Sequence, residues 1–142
     1  MEVVKALILA IALEYGVPPE FALAIAFTEN WTLNPRAVSP PNRNGTRDWG
    51  VFQLNENYFC MVAWYDPETN IRQGVRHIRW LMEHPRTCTW WSVAVAYNAG
   101  INRLSRPPES TLRYADAVMR RFNEFTGGTA PVLIGRRAGR GN

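Results

Sequence analysis

The chain has 142 residues, 46% of them apolar and 12% aromatic, and a formal net charge of +4. A chain of that size is expected to fold as one domain whose core needs no metal or disulfide staple, and no apolar run is long enough to cross a membrane, since Val3 to Leu13 is broken by Lys5 and closed by Glu14. From Gly127 onward the chain carries Arg136, Arg137 and Arg140 and no acid, which leaves 13 basic against 12 acidic residues before it and excludes the basic face of a duplex-binding module.

Val4, Leu7, Ile8, Ile11 and Tyr15 recur at helical spacing and Gly16 supplies a stop, which predicts a folded first helix. The same stretch carries Lys5 and the small-x-small run Ala10-Ile-Ala12 of a secretion signal. The helical stripe outweighs that pattern, so any export signal is expected to lie outside this sequence or not to exist. Pro18-Pro19 opens a second helix, which should end before Pro35 because the residue preceding a proline leaves the α region. Asn34 to Arg47, rich in Pro, Asn, Gly and Ser, reads as a loop long enough to be functional. Asp66-Pro67-Glu68 combines an N-cap, a first-turn proline and a dipole-favoured acid, and Ile71, Val75, Ile78 and Met82 continue that helix towards Pro85. Thr89 caps a shorter helix from Trp90 to about Asn98, closed by Gly100. Pro107-Pro108-Glu109 begins the last helix, with Leu112, Ala115, Met119 and Phe122 as its buried face. The expected architecture is all-α, about five helices in one domain over residues 1–126, followed by a Gly/Arg-rich tail over 127–142 that contains one apolar run, Pro131 to Ile134, of unassigned role.

Cys60 and Cys88 lack CxxC spacing; they would pair in an oxidising compartment and stay thiols in a reducing one, and both options stand. Together with His77 and His84 they show no ligand-pair spacing, which argues against a zinc site.

Chemistry concentrates in four segments: Thr28-Glu29-Asn30, Asp48-Trp-Gly-Val-Phe-Gln-Leu-Asn55, Ala96-Tyr-Asn-Ala-Gly100, and Glu109 to Tyr114. Glu29 closes the apolar helical run Phe21-Ala-Leu-Ala-Ile-Ala-Phe-Thr-Glu29, where a carboxyl group desolvated on one side is expected to hold a proton at neutral pH, as a general acid must. The other segments mix glycine, amides and aromatics. Amides bond hydroxyl and N-acetyl groups, aromatic faces pack on sugar rings, and glycines admit a ligand close to the backbone, so this is the composition of a saccharide groove. Each segment alone also has a plain structural reading: Tyr-Asn-Ala-Gly is an ordinary helix end, and the six tryptophans are core candidates.

In their order, Tyr15-Gly-Val-Pro-Pro19, Ala24-Ile-Ala26 leading to Glu29, Asn34-Pro-Arg-Ala-Val-Ser39, Gly50-Val-Phe-Gln53, Asp66-Pro-Glu-Thr-Asn-Ile71, Ala96-Tyr-Asn-Ala-Gly100 and Pro108-Glu109 to Tyr114 resemble the catalytic domain of soluble lytic transglycosylases, from about residue 6 to residue 125. The short form, with Asn44-Gly-Thr-Arg-Asp48 and Trp91, looks most like the small members associated with secretion systems, pili or phage. The resemblance implies a lysozyme-like all-α fold, peptidoglycan glycan strands as partner, a periplasmic, extracellular or phage-associated location, and no metal or organic cofactor.

By position it implies that Glu29 is the single catalytic acid/base, which protonates the glycosidic oxygen between N-acetylmuramic acid and N-acetylglucosamine. The same group then deprotonates the muramic 6-hydroxyl to give a 1,6-anhydro end. Tyr114 matches the tyrosine that positions the carboxyl group, Gln53 the groove amide, and Tyr97 and Asn98 subsite residues, with Asn30, Ser39, Asp48 and Phe52 also expected on the substrate side. Two positions differ in interest. Asn30 stands where the family usually has Ser. Asp48-Trp-Gly-Val-Phe-Gln-Leu-Asn55 also resembles the Asp-Tyr-Gly-Ile-x-Gln-Ile-Asn stretch of animal-type lysozymes, in which that Asp is the second catalytic carboxylate. Asp48 is therefore either a nucleophile or, as favoured here, the cap of the turn before Gly50 or a substrate hydrogen-bond partner. Three functions follow: a lytic transglycosylase, a hydrolytic muramidase using Glu29 and Asp48, and a non-catalytic wall-binding assembly protein. The intact set of Glu29, Gln53, Tyr97 and Tyr114 argues against the last.

Overall fold

The computed structural model describes residues 1–133, so Ile134 and the three arginines of the tail lie outside the described residues. Among these the chain is all-α, with α1 (Glu2–Glu14), α2 (Pro19–Glu29), α3 (Pro67–Glu83), α4 (Trp90–Ala99) and α5 (Glu109–Thr126), and a 3-10 turn at Ile101–Arg103. A short antiparallel ribbon, β1 (Asp48–Trp49) and β2 (Leu54–Asn55), is the element the sequence does not announce. The chain forms two compact units, residues 1–76 and residue 77 onward.

In the first unit α1 buries Val4, Ile8, Ile11 and Ala12 and packs on α2. Leu7 and Tyr15, expected in that stripe, are half-buried at its edges. The second helix starts where Pro18 leaves extended backbone for Pro19, whose missing N–H costs nothing in a first turn. Phe21 to Ala26 are all buried, so this helix is embedded on every side. Burial of each large apolar side chain contributes about 1.5–3 kcal/mol. The helix stops at Glu29, earlier than Pro35 requires. Asn30 leaves helical backbone, its C=O accepts the Leu33 N–H at 2.8 Å, and Leu33 turns left-handed at φ 53° with its side chain buried. The chain therefore reverses directly after Glu29.

The segment read as an open loop, 34–47, is tied back to the ribbon. Ser39 N–H donates to the Asp48 C=O at 2.9 Å, Gly50 N–H donates to the Ala37 C=O at 2.8 Å, and Val38 bridges Trp49. At the start of α3, Asp66 Oδ2 accepts the Thr69 N–H and hydroxyl at 3.0 and 2.7 Å, the expected cap, and these bonds hold its carboxyl below the usual range.

In the second unit Ile78, Leu81 and Met82, then Trp90 and Val93 to Ala96, are buried, and α4 packs on α5. Helix α4 begins in a capping box, with the Thr89 hydroxyl accepting the Ser92 N–H at 3.1 Å and the Ser92 hydroxyl accepting the Thr89 N–H at 3.0 Å. The buried face of α5 is Thr111, Ala115, Val118 and Phe122; Leu112 and Met119, expected there, are half-buried. A threonine displaces leucine from that face because its hydroxyl donates to Asn98 Oδ1 at 2.7 Å, which satisfies a group that would otherwise be costly to bury. The apolar run after the last helix is anchored: Trp90 Nε1 donates to the Pro131 C=O at 2.6 Å, and Leu133 is buried.

Candidate active site

Glu29 is the last residue of α2 and is half-buried, at the end of a helix buried from Phe21 to Ala26. The negative pole of the helix meets it there. The Thr28 hydroxyl one residue earlier is turned back onto the Ala24 C=O at 2.7 Å. Asn30 is buried at 7% exposure, and its Nδ2 donates to the Asn34 C=O at 2.8 Å and to the Gly50 C=O at 3.4 Å. Its Oδ1 accepts the Thr32 hydroxyl at 3.0 Å. Expected on the substrate side, Asn30 is instead spent on the frame: a short buried amide must satisfy its own atoms, and backbone carbonyls are what lie within reach.

The turn between β1 and β2 runs Gly50-Val51-Phe52-Gln53. Gly50 has φ +80°, and a Cβ there would lie 2.2 Å from Asn70 Nδ2 and 2.9 Å from the Trp64 C=O, so only glycine fits. Phe52, expected in the groove, is fully buried, its ring laid on Gly74, where a Cβ would come within 2.5 Å of it. Exclusion of that ring from water outweighs any part in ligand contact, and a helix-interior glycine that costs about 1 kcal/mol relative to Ala makes room for it. Gln53 is half-buried with φ 51°, a left-handed backbone that costs a non-glycine residue on the order of 1–3 kcal/mol and tends to mark functional sites. Its Nε2 donates to the Gly50 C=O at 3.0 Å and the Ala37 C=O at 3.2 Å. With both amide hydrogens committed, what Gln53 offers a ligand is its acceptor, Oε1. The Gly50 carbonyl thus gathers Asn30, the neighbour of Glu29, and Gln53 at one point of the first unit.

Asp48 lies half-buried at the edge of the same ribbon. Its Oδ1 accepts from Asn55 Nδ2 at 2.9 Å, and both its oxygens lie 3.3 Å from Asn42 Nδ2, while Thr46 accepts from the same two amides at 2.9 and 3.3 Å. In place of capping the turn before Gly50, the carboxylate joins the two sides of the long loop. The Ser39 hydroxyl is part of this brace, accepting the Asp48 N–H at 2.9 Å and donating to the Pro40 C=O at 2.8 Å.

Tyr97, Asn98 and Tyr114 belong to the second unit. Asn98 is exposed, with its Oδ1 accepting from Thr111, so that it fastens the end of α4 to the first turn of α5. Tyr114 is half-buried with its hydroxyl out of solvent. Tyr97 is half-buried and its ring meets His77 at 5.6 Å between centroids. His77 lies parallel to Trp80 at 5.9 Å, and burial pushes its imidazole down to about 4, so it is neutral at ordinary pH. Sequence reading weighs His77 only as a metal ligand and Asn70 only within the Asp66–Ile71 motif; the structure sets Asn70 against the Gly50 turn of the first unit and His77 against Tyr97 of the second. For Asn70 a signal exists, a short amide between core positions of a helix; for His77, only helical spacing from the buried stripe.

Cys60 and Cys88 are both exposed. Among the described residues no group of three His, Cys, Asp or Glu side chains could hold a metal ion, and no helix is long and apolar enough to cross a membrane.

The sequence model of the Transglycosylase SLT domain matches residues 6–119. A lysozyme of Galleria mellonella is 56% identical over 23 residues, which cover 16% of this chain and 19% of that protein. The chain therefore spans about a fifth of the length of that curated relative. No solved structure matches.

Proposed function

The chain belongs to the transglycosylase SLT domain family, and from that premise we propose that it cleaves the β-1,4 bond between N-acetylmuramic acid and N-acetylglucosamine in peptidoglycan and leaves 1,6-anhydromuramic ends. The observation that carries the proposal is Glu29, half-buried at the end of an embedded helix, one residue from the network that ties Asn30 and Gln53 to the Gly50 carbonyl. In the forward step the Glu29 carboxyl group gives its proton to the glycosidic oxygen as the C1–O bond breaks. The resulting carboxylate then takes the proton of the muramic 6-hydroxyl, whose oxygen closes on C1. The acid is regenerated and no water is consumed. Gln53 Oε1 accepts from a sugar hydroxyl or N-acetyl N–H. The family resemblance assigns Tyr97 and Asn98 to substrate binding and the Tyr114 hydroxyl to orientation of the acid. Because the wall is the substrate, the enzyme works in the periplasm, outside the cell or as part of a phage.

A hydrolytic muramidase is the second reading, favoured by the short likeness to a lysozyme. It needs Asp48 as nucleophile, about 5 to 5.5 Å from the acid in a retaining enzyme. Against it stand the two amides that already engage the Asp48 carboxylate. Mass spectrometry of digested peptidoglycan separates the two: anhydro ends support the transglycosylase, and water-added reducing ends overturn it.

A further inference from the structure

Asn70, on the first turns of α3, directs its side chain out of the helix and into the Gly50 turn. It is 1% exposed. Its Oδ1 accepts the Phe52 N–H at 2.8 Å and its Nδ2 donates to the Trp49 C=O at 2.9 Å, so one amide grips the backbone on both sides of Gly50 and Val51. The fit is close enough that the absent Gly50 side chain is the space Asn70 fills: a Cβ would stand 2.2 Å from Nδ2 and 2.7 Å from Cγ. Gln53, the residue after the clamp, holds a left-handed backbone, and its side chain returns to the Gly50 C=O inside the same turn. A strained backbone of this kind persists only where its surroundings over-determine it. Here the surroundings are the Asn70 amide on one side and the Phe52 ring seated on Gly74 on the other.

We propose that Asn70 is a positioning residue for glycan binding, which acts by clamping the Trp49–Phe52 backbone so that the Gln53 carboxamide is held with its acceptor presented to the sugar. This rests on the reading of Gln53 as a substrate contact. Asn70 itself is buried and touches no ligand. Its influence passes through the turn, and two residues coupled through a shared backbone act non-additively.

The test is a double-mutant cycle in the full chain carrying Glu29→Gln to prevent turnover, with binding of a soluble tetrasaccharide of alternating N-acetylmuramic acid and N-acetylglucosamine measured by calorimetry. Asn70→Ala should weaken binding roughly tenfold when Gln53 is present and by less than about twofold once Gln53 is Ala. Should Asn70→Ala not fold, Asn70→Asp reads the same coupling, since it retains the volume and the acceptor for the Phe52 N–H while it replaces the donor to Trp49 by a carboxylate oxygen that repels that carbonyl. Equal weakening in both backgrounds, or none with Gln53 present, overturns the clamp and leaves Gln53 as a contact. A Gln53→Ala change that leaves binding intact overturns the reading of Gln53 itself, and the clamp with it.

Discussion

Asn30 and Gln53 donate to the same atom, the carbonyl oxygen of Gly50, at 3.4 and 3.0 Å. Asn30 and that carbonyl stand twenty positions apart in the chain, so the end of the acid-bearing helix is held by a side-chain amide and not by helix propensity. Removing the amide leaves the Asn34 carbonyl without its 2.8 Å donor in a part-buried place. Asn30→Ala should therefore lower stability by about 1–3 kcal/mol and depress turnover as Glu29 loses its fixed position. Asn30→Ser, too short to reach both carbonyls, should do much the same. Thermal melts with wall-lysis rates check this, and an Ala variant as stable and active as wild type would contradict it.

Glu29→Gln should keep the fold and saccharide binding while turnover drops by at least about 10² to 10⁴-fold, the scale of losing a general acid. A Gln variant that retains a tenth of wild-type turbidity clearance of purified wall would remove Glu29 from the role.

Phe52 and Gly74 test the inward placement of the turn. Phe52→Leu, which keeps an apolar group over Gly74 and leaves the Asn70 bonds in place, should weaken glycan binding less than Asn70→Ala does, beside a stability loss on the order of 1–3 kcal/mol for reshaping a packed site. Gly74→Ala should cost at least as much, because its methyl group falls 2.5–2.8 Å from the Phe52 ring. Urea midpoints measure both. A Leu variant with intact stability and lost binding would put Phe52 back in the groove.

Asp48 decides between reaction types. Asp48→Asn should leave measurable activity and anhydro products, with some loss of stability because one oxygen of its amide-bonded pair becomes a donor facing Asn55 or Asn42. A normally folded variant as inactive as Glu29→Gln would favour the hydrolase.

His77 makes stability depend on pH. Its folded pKa is about 4 against an ordinary 6.5, so between those values the unfolded chain binds a proton that the folded chain refuses. Its contribution is complete above pH 6.5 and declines as pH falls towards 4. His77→Gln should flatten that part of the stability profile, measured by urea unfolding at successive pH values. An unchanged slope would show that His77 is not held neutral.

Much of the helical order is legible in the chain because its signals are local. Pro18-Pro19, the Asp66 cap with Thr69 and the Thr89–Ser92 box each act within three or four residues, and the structure places α2, α3 and α4 accordingly. Glu29 stands out for the same reason, as an acid closing an apolar run. The family likeness was legible too, in the order of the motifs, and the domain match over residues 6–119 agrees with it. What tertiary structure decided is the destination of the polar side chains. The early stop of α2, the occupied hydrogens of Gln53, the inward turn of Phe52, the brace at Asp48 and the threonine on the buried face of α5 each depend on a partner 7 to 22 residues away. An amide read in sequence is equally suited to a sugar and to a carbonyl; burial removes that freedom, because an amide enclosed by protein must bond to whatever acceptor the fold brings beside it.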